Sequence, residues 1–141
     1  MQIKVKYKKS VDHITQAHEG EWYDLRASQE YMLMPGDYAE IDLGVCIELP
    51  EGYEAIIAPR SSTFRNWGIL MTGSIGVIDH KYKGDNDWWR MPVLATRTAR
   101  ICRNDRVCQF RIQKVQPEAE FVEVESMNND SRGGLGSTGV N

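Results

Sequence analysis

Several protein classes are excluded by what this 141-residue chain lacks. No apolar run approaches the roughly 20 residues that cross a bilayer. The opening Met1-Gln2-Ile3-Lys4-Val5-Lys6-Tyr7 alternates like a strand and carries no apolar block of a signal peptide, so a cytoplasmic location is expected. Basic residues are not in excess. Lysine and arginine number 17 against 20 aspartates and glutamates, a formal charge of −3. A general duplex-binding role would need a basic face, so none is expected. Cys46, Cys102 and Cys108 are odd in number without CxxC spacing, which speaks against disulfide and zinc frameworks and for small apolar roles. His13, His18 and His80 have no metal-ligand spacing either, and no metal cage built by the protein is expected. No stretch holds a 3.6-residue apolar period over three turns, which excludes a helical domain.

What remains is period-two alternation. Ile3, Val5 and Tyr7 alternate with lysines, and Ile41, Leu43, Val45, Ile47 and Leu49 form the longest alternating run, read as one strand. Further strands are predicted over Tyr53–Ala58, Gly68–Thr72, Met91–Ala95, Ala99–Ile101, Val107–Ile112 and Glu120–Glu125. Turn signals at Pro35-Gly36-Asp37, Pro50-Glu51-Gly52, Arg103-Asn104-Asp105 and Pro117-Glu118 separate them. One short helix over Ser61–Asn66 is expected, capped by Ser61 or Ser62. The fold class is therefore all-β: a sandwich, barrel or jelly roll of one domain. From residue 127 to 141 the chain turns Gly- and Ser-rich with little to bury, and reads as a flexible arm on a body spanning 1–126.

Four polar clusters carry chemistry. Gly76-Val77-Ile78-Asp79-His80-Lys81-Tyr82-Lys83-Gly84 ends a strand with one carboxylate and, three residues later, one ring. That arrangement offers a base beside a flat substrate, although aspartate in a turn also serves local hydrogen bonding. Pro59-Arg60-Ser61-Ser62-Thr63 offers a guanidinium and hydroxyls before a helix start, suited to an anion or simply to a cap. Asp105-Arg106-Val107-Cys108-Gln109 places a polar amide opposite the face of Cys108 and Phe110, and Asn104 suits a left-handed turn. In the tail, Arg132, then Gly133 and Gly134, Leu135, Gly136, Ser137 and Thr138 bring together what a phosphate cradle needs. The GxxxxGK[ST] spacing of an NTPase P-loop is absent.

These clusters, preceded by Tyr23-Asp24-Leu25-Arg26-Ala27, resemble in order the five motifs of the homotrimeric all-β dUTPase family, especially members from Gram-positive bacteria and their phages. The resemblance implies a jelly-roll β-barrel trimer that hydrolyses dUTP to dUMP and pyrophosphate, at sites shared between subunits and closed by the arm. It makes Asp79 the general base for water and Tyr82 the ring against deoxyribose. By the same resemblance the hairpin Gly73, Ser74, Gly76, Val77 and Ile78 reads uracil. Arg60, Ser61, Ser62 and Gln109 are implied to hold phosphates, with Arg132, Gly134, Gly136, Ser137 and Thr138 clamping the γ end. Asp24 would reach, through water, a Mg²⁺ carried by the triphosphate, consistent with magnesium's preference for phosphate and water ligands.

One departure is Leu135, where the family usually has an aromatic over the uracil. Trp88 or Trp89 is a candidate lid in its place, and core or interface roles are the alternative reading for both. Gly76 and Gly84 are expected to let backbone approach the base. Two other functions fit the fold: a dCTP deaminase, whose family lacks the Ile-Asp-x-x-Tyr turn, and a phage-type regulatory protein that binds a repressor.

Overall fold

The computed structural model describes residues 1–16 and 20–136; His18, Ser137 and Thr138 lie outside the described residues. Eleven strands and one short helix follow one another: β1 (Lys4–Tyr7), β2 (Tyr23–Arg26), β3 (Tyr31–Leu33), β4 (Tyr38–Asp42), β5 (Val45–Glu48), β6 (Tyr53–Pro59), α1 (Thr63–Trp67), β7 (Ile69–Met71), β8 (Gly76–Ile78), β9 (Arg90–Ala95), β10 (Ala99–Ile101) and β11 (Arg106–Lys114). All pairing is antiparallel, in ladders β1-β5, β10-β3, β2-β11-β6-β8 and β4-β9-β7. The ladders do not join into one closed barrel. They share a single core instead, to which β2 gives Leu25, β5 Ile47, β6 Ile57, β9 Met91 and Val93, β10 Ile101 and β11 Val107 and Phe110.

The long alternating run from Ile41 to Leu49 is two strands. Gly44, at φ +67°, breaks it, and a Cβ there would stand 3.0 Å from both Val11 methyls. Asp42 organises the break: its carboxylate accepts the Gly44 N–H at 2.9 Å and a hydrogen bond from Lys8, while its own N–H donates to the Tyr31 hydroxyl at 2.8 Å. Alternation persists across the kink because Leu43 spans it with its side chain buried.

The helix begins two residues later than expected. Ser62 stands at its N-terminus but makes no side-chain cap; Thr63, fully buried, accepts the Arg60 N–H at 2.8 Å and donates to the Val107 carbonyl at 3.0 Å. Gly68 (φ +65°) ends the helix, so the next strand starts at Ile69. Asn104 has the expected left-handed backbone at φ +73°. No strand forms over Glu120–Glu125. Among the described residues, Val115 N–H to Gly52 carbonyl at 3.0 Å is the last backbone bond tying the chain to its body, and Phe121 beyond it is 96% exposed. The apolar residues of that segment are left exposed by the described residues, which is why alternation alone misplaced the strand. β2 and β3 are two short strands that were not expected.

Cys46 and Cys108 are buried as small apolar residues, whereas Cys102 is exposed, against a buried role for all three; at Cys108 desolvation, then the neighbouring Asp24 charge, pushes the thiol well above the ordinary range. Partial burial would raise the Asp42 carboxyl, but bonds from Lys8 and the Gly44 N–H outweigh it and hold the group below its usual value. A carboxylate depressed on folding stabilises fully above its unfolded value and loses that stabilisation as pH falls through its folded one. Asp42→Asn should therefore cost about 1–2 kcal/mol near pH 7 in urea unfolding. The gap to wild type should narrow as the pH drops below about 4, the ordinary aspartate range.

Candidate active site

The four-stranded sheet carries the polar motifs. On β11, Gln109 pairs with Asp24 of β2 on one side and with Ala58 of β6 on the other. This places Asp24, Arg60 and Arg106 at one end of the sheet. Asp24 is 6% exposed. Its Oδ2 accepts from Arg106 at 3.4 Å, and its Oδ1 lies 3.2 Å from Arg60 Nε but is too poorly aligned to be a hydrogen-bonded acceptor. Arg60 also donates to the Arg106 carbonyl at 3.1 Å, and the Gln109 amide donates to the Pro59 carbonyl at 3.1 Å. A buried carboxylate between two guanidiniums holds both in place, and an arginine so held is preorganised to meet an anion. Ser61 is exposed and Ser62 half-buried beside them, open to a ligand.

A second cluster sits on the turn after β8. Asp79 Oδ1 accepts the Lys81 N–H at 2.7 Å, and the Tyr82 N–H donates to the Asp79 carbonyl at 3.0 Å. These two bonds explain the Asp-x-x-Tyr spacing, because positions i and i+3 of one turn project from the same end. The Tyr82 hydroxyl donates to the Trp88 carbonyl at 3.1 Å. Partial burial, then the charge of Asp87, pushes the Tyr82 phenol up, so it stays a donor at neutral pH. Val77, Ile78, Asp79, Tyr82, Trp88 and Arg90 line one recess whose walls are largely apolar. A carboxylate at the edge of an apolar, ring-walled recess suits a base acting beside a bound nucleoside.

Gly76 and Gly84 stand close against side chains of this chain: a Cβ on Gly76 would meet Met71 Cε at 3.2 Å, and one on Gly84 would meet Asp87 Oδ2 at 2.8 Å. Gly73 (φ +78°) and Ser74 (φ +70°) make the turn before β8, with Ile75 and Val77 exposed on the hairpin.

The two candidate lids separate. Trp89 is fully buried, edge-on to Phe110 at 5.3 Å, and tied by backbone bonds to Val45 and Leu43. It belongs to the core. Trp88 is half-buried at the recess with the Lys8 ammonium 4.7 Å from its ring centre. In the tail, Arg132 and Gly134 are exposed, as are Leu135 at φ +49° and Gly136 at φ +92°. None of them touches either cluster.

The clusters stand at opposite ends of β6. Ile78 pairs with Ala55, so Asp79 lies beyond that end, whereas Arg60 follows Pro59 at the other. Ala55 to Arg60 is five residues, about 16 Å at strand spacing.

The all-β body thus carries a carboxylate-and-ring turn and, apart from it, an arginine–serine cluster. The chain belongs to the dUTPase family, whose model matches residues 11–139. It is 48% identical over 141 residues to the SPbeta prophage-derived deoxyuridine 5′-triphosphate nucleotidohydrolase YosS of Bacillus subtilis, covering 99% of each chain. It is 37% identical over 129 residues to the deoxyuridine 5′-triphosphate nucleotidohydrolase of Thermobifida fusca, covering 87% of this chain and 70% of that one. In fold it resembles a dUTPase of Staphylococcus bacteriophage 80alpha solved with dUpNHpp, with a TM-score of 0.77 at 22% identity over 99% of both chains. It is also like the dUTPase of phage phi11 of S. aureus, described as coordinating a structural Mg(II) ion, with a TM-score of 0.76 at 18% identity over 90% of this chain and 99% of that one. The jelly-roll expectation is met in this sense, with the ladders left unclosed within the protomer.

Replacing the two tryptophans separates core from recess. Trp89→Ala should cost about 3–5 kcal/mol of stability, read in urea unfolding. Trp88→Ala should leave unfolding within about 1 kcal/mol of wild type, since a half-buried side chain removes less packing.

Proposed function

We propose that the protein is a dUTP diphosphatase, hydrolysing dUTP to dUMP and pyrophosphate and so lowering dUTP while supplying dUMP for thymidylate synthesis. Membership of the family supports the reaction class. The observation that carries the mechanism is the exposed Asp79 carboxylate beside the Tyr82–Trp88 recess. Asp79 takes a proton from a water molecule whose oxygen bonds to the α-phosphorus. The bond from that phosphorus to the bridging oxygen breaks, and pyrophosphate leaves with the electron pair. Such chemistry rests on positioning and on neutralising spread charge. Arg60, Ser61, Ser62 and Gln109 supply donors for the phosphates, Tyr82 packs on the deoxyribose and excludes a 2′-hydroxyl, and the Gly73–Ile78 hairpin reads the uracil edge. Trp88 covers the base in place of the missing tail aromatic, while Arg132 with the following residues closes over the γ end.

A Mg²⁺ fits this arrangement as a passenger of the triphosphate. Among the described residues no cluster of three or more potential ligands exists to cage a metal, while the buried Asp24 Oδ1 keeps unused acceptor capacity. Asp24 would hold a water of the ion's shell, and the bound ion would supply neutralisation of phosphate charge.

A base must come within about 3 Å of the proton it takes. Asp79 and Arg60 emerge toward opposite ends of β6, about 16 Å apart at strand spacing, which supports a site completed by a second copy. We therefore propose a homotrimer in which Asp79 of one copy faces Arg60 of another. The exposed segment from Gln116 to Gly136, which packs on nothing in its own protomer, would serve a neighbour.

Pyrophosphate release from dUTP with Mg²⁺, and no ammonia release from dCTP, is the expected assay result; ammonia from dCTP would indicate a deaminase. Neither product would leave a regulatory, repressor-binding role. Asp79→Asn and Arg60→Ala should each abolish most turnover alone. Refolded together at equal amounts they should regain activity, in roughly one site in four on random mixing in a symmetric trimer. No recovery would mean that each site draws both residues from one copy.

A further inference from the structure

At its far end the ladder between β6 and β11 stops short of Arg60. The register sets Ala58 against Gln109 and Pro59 against Cys108, so Arg60 would next stand against Val107. The Thr63 hydroxyl occupies that place instead. It accepts the Arg60 N–H at 2.8 Å and donates to the Val107 carbonyl at 3.0 Å, joining by way of a side chain two backbones that the sheet would have joined directly. The Thr63 N–H in turn donates to the Arg60 carbonyl at 3.0 Å, so two bonds close the turn Arg60-Ser61-Ser62-Thr63. Ser61 and Ser62 form its tip, the first exposed and the second half-buried, and Ser62 makes no side-chain cap to the helix. Thr63 itself has no exposure. Its partner Val107 lies where β11 also shifts register against β2, between Arg106 and Cys108.

We propose that Thr63 is a positioning residue for the hydrolysis, its hydroxyl a wedge that turns the chain off the end of β6 and so fixes Arg60 and the Ser61–Ser62 tip where the phosphates are held. This rests on Arg60 and the two serines being the phosphate donors. A direct pairing of Arg60 with Val107 would continue β6 as a strand and carry the following serines along the sheet. With the hydroxyl inserted, the same backbone groups are satisfied while the chain turns. The Arg60 guanidinium is held from its far end by Asp24 at 3.2 Å and by the Arg106 carbonyl at 3.1 Å, so Thr63 fixes the root of a side chain whose head is fixed separately. A valine would fill the space of Thr63 but leave the Arg60 N–H and the Val107 carbonyl without partners, a cost that the chain relieves by closing the strands or shifting the turn. Either response moves the phosphate donors, and a misplacement of about 1 Å can cost up to two orders of magnitude in rate.

Two inhibitors separate the ends of the substrate: dUDP carries phosphates, whereas deoxyuridine carries only base and sugar. Steady-state pyrophosphate release from dUTP with Mg²⁺, and its inhibition by each compound, would be measured for Thr63→Val, Thr63→Ala, Thr63→Ser and Arg60→Ala, with each variant's thermal midpoint. Thr63→Val is expected to lower kcat/KM about tenfold and to weaken dUDP inhibition by a similar factor, with deoxyuridine inhibition within about twofold of wild type. Thr63→Ser keeps the hydroxyl and should recover most of both losses. Thr63→Ala should behave as the valine variant does, and takes its place if that variant does not fold. Wild-type kcat/KM in a folded variant without the hydroxyl, equal weakening of both inhibitors, or a serine variant as impaired as the valine would each overturn the wedge. So would failure of both hydroxyl-free variants to fold, because Thr63 would then support the fold and not the site. Undiminished dUDP inhibition in Arg60→Ala would overturn the phosphate role of the cluster itself. Weakened dUDP inhibition there, beside an unchanged Thr63→Val, would overturn only the role of Thr63.

Discussion

The pairing of β6 with β11 on one side and β8 on the other is the constraint from which the site's layout follows. β11 brings Gln109, Arg106 and, through β2, Asp24 to the end of β6 where Arg60 emerges. β8 pairs only with Ala55, Ile56 and Ile57, so its turn projects past the opposite end. Register in a sheet with one buried face is strongly specified, because a slip of one residue would turn every core side chain outward. Ile57 and Phe110, both buried at paired positions, lock this one. The separation of Asp79 from Arg60 is therefore a property of the core as much as of the two clusters.

Each half-site is rigid for a different reason. At the arginine end, a nearly buried carboxylate, Asp24, sits between two guanidiniums, and removing any one of the three would strand charge. Thr63, with no exposure at all, ties the same segment to the Val107 carbonyl. At the aspartate end the constraint is local. Asp79, Lys81 and Tyr82 close one turn, and Gly84 and Asp87 close the next through the Gly84 N–H to Asp87 Oδ2 bond at 2.7 Å. The second turn swings the chain so that Trp88 returns to the Tyr82 hydroxyl while Trp89 enters the core. Two adjacent tryptophans with opposite fates are what alternation in an extended segment produces.

Much of this was legible in the residues. Ala99–Ile101 is a strand over the bounds expected from its pattern, and β6, β9 and β11 differ from theirs by one or two residues, because alternating apolar side chains with one buried face are a direct imprint of a sheet. The Asp79–Tyr82 turn, the left-handed Asn104 and the arginine–serine segment were readable from spacing and residue type, since their hydrogen bonds are short-range in sequence. The break at Gly44 was not, because it answers to Val11 and Ser28, far along the chain. The absent strand at Glu120–Glu125 misled for the converse reason: a strand pattern states that a segment has two faces, not what covers them.

By itself, then, the sequence determined the all-β class, the turn that presents Asp79 with Tyr82, and the identity of the polar groups in each cluster. Those are matters of local stereochemistry and of residue type, which travel with the chain. Only the tertiary structure decided that Trp89 is core while Trp88 stands at the recess, that Asp24 lies between Arg60 and Arg106, and that Asp79 and Arg60 stand at opposite ends of β6. These depend on which strands pair and in what register. That choice is made by burial across residues distant in sequence, and no local pattern encodes it.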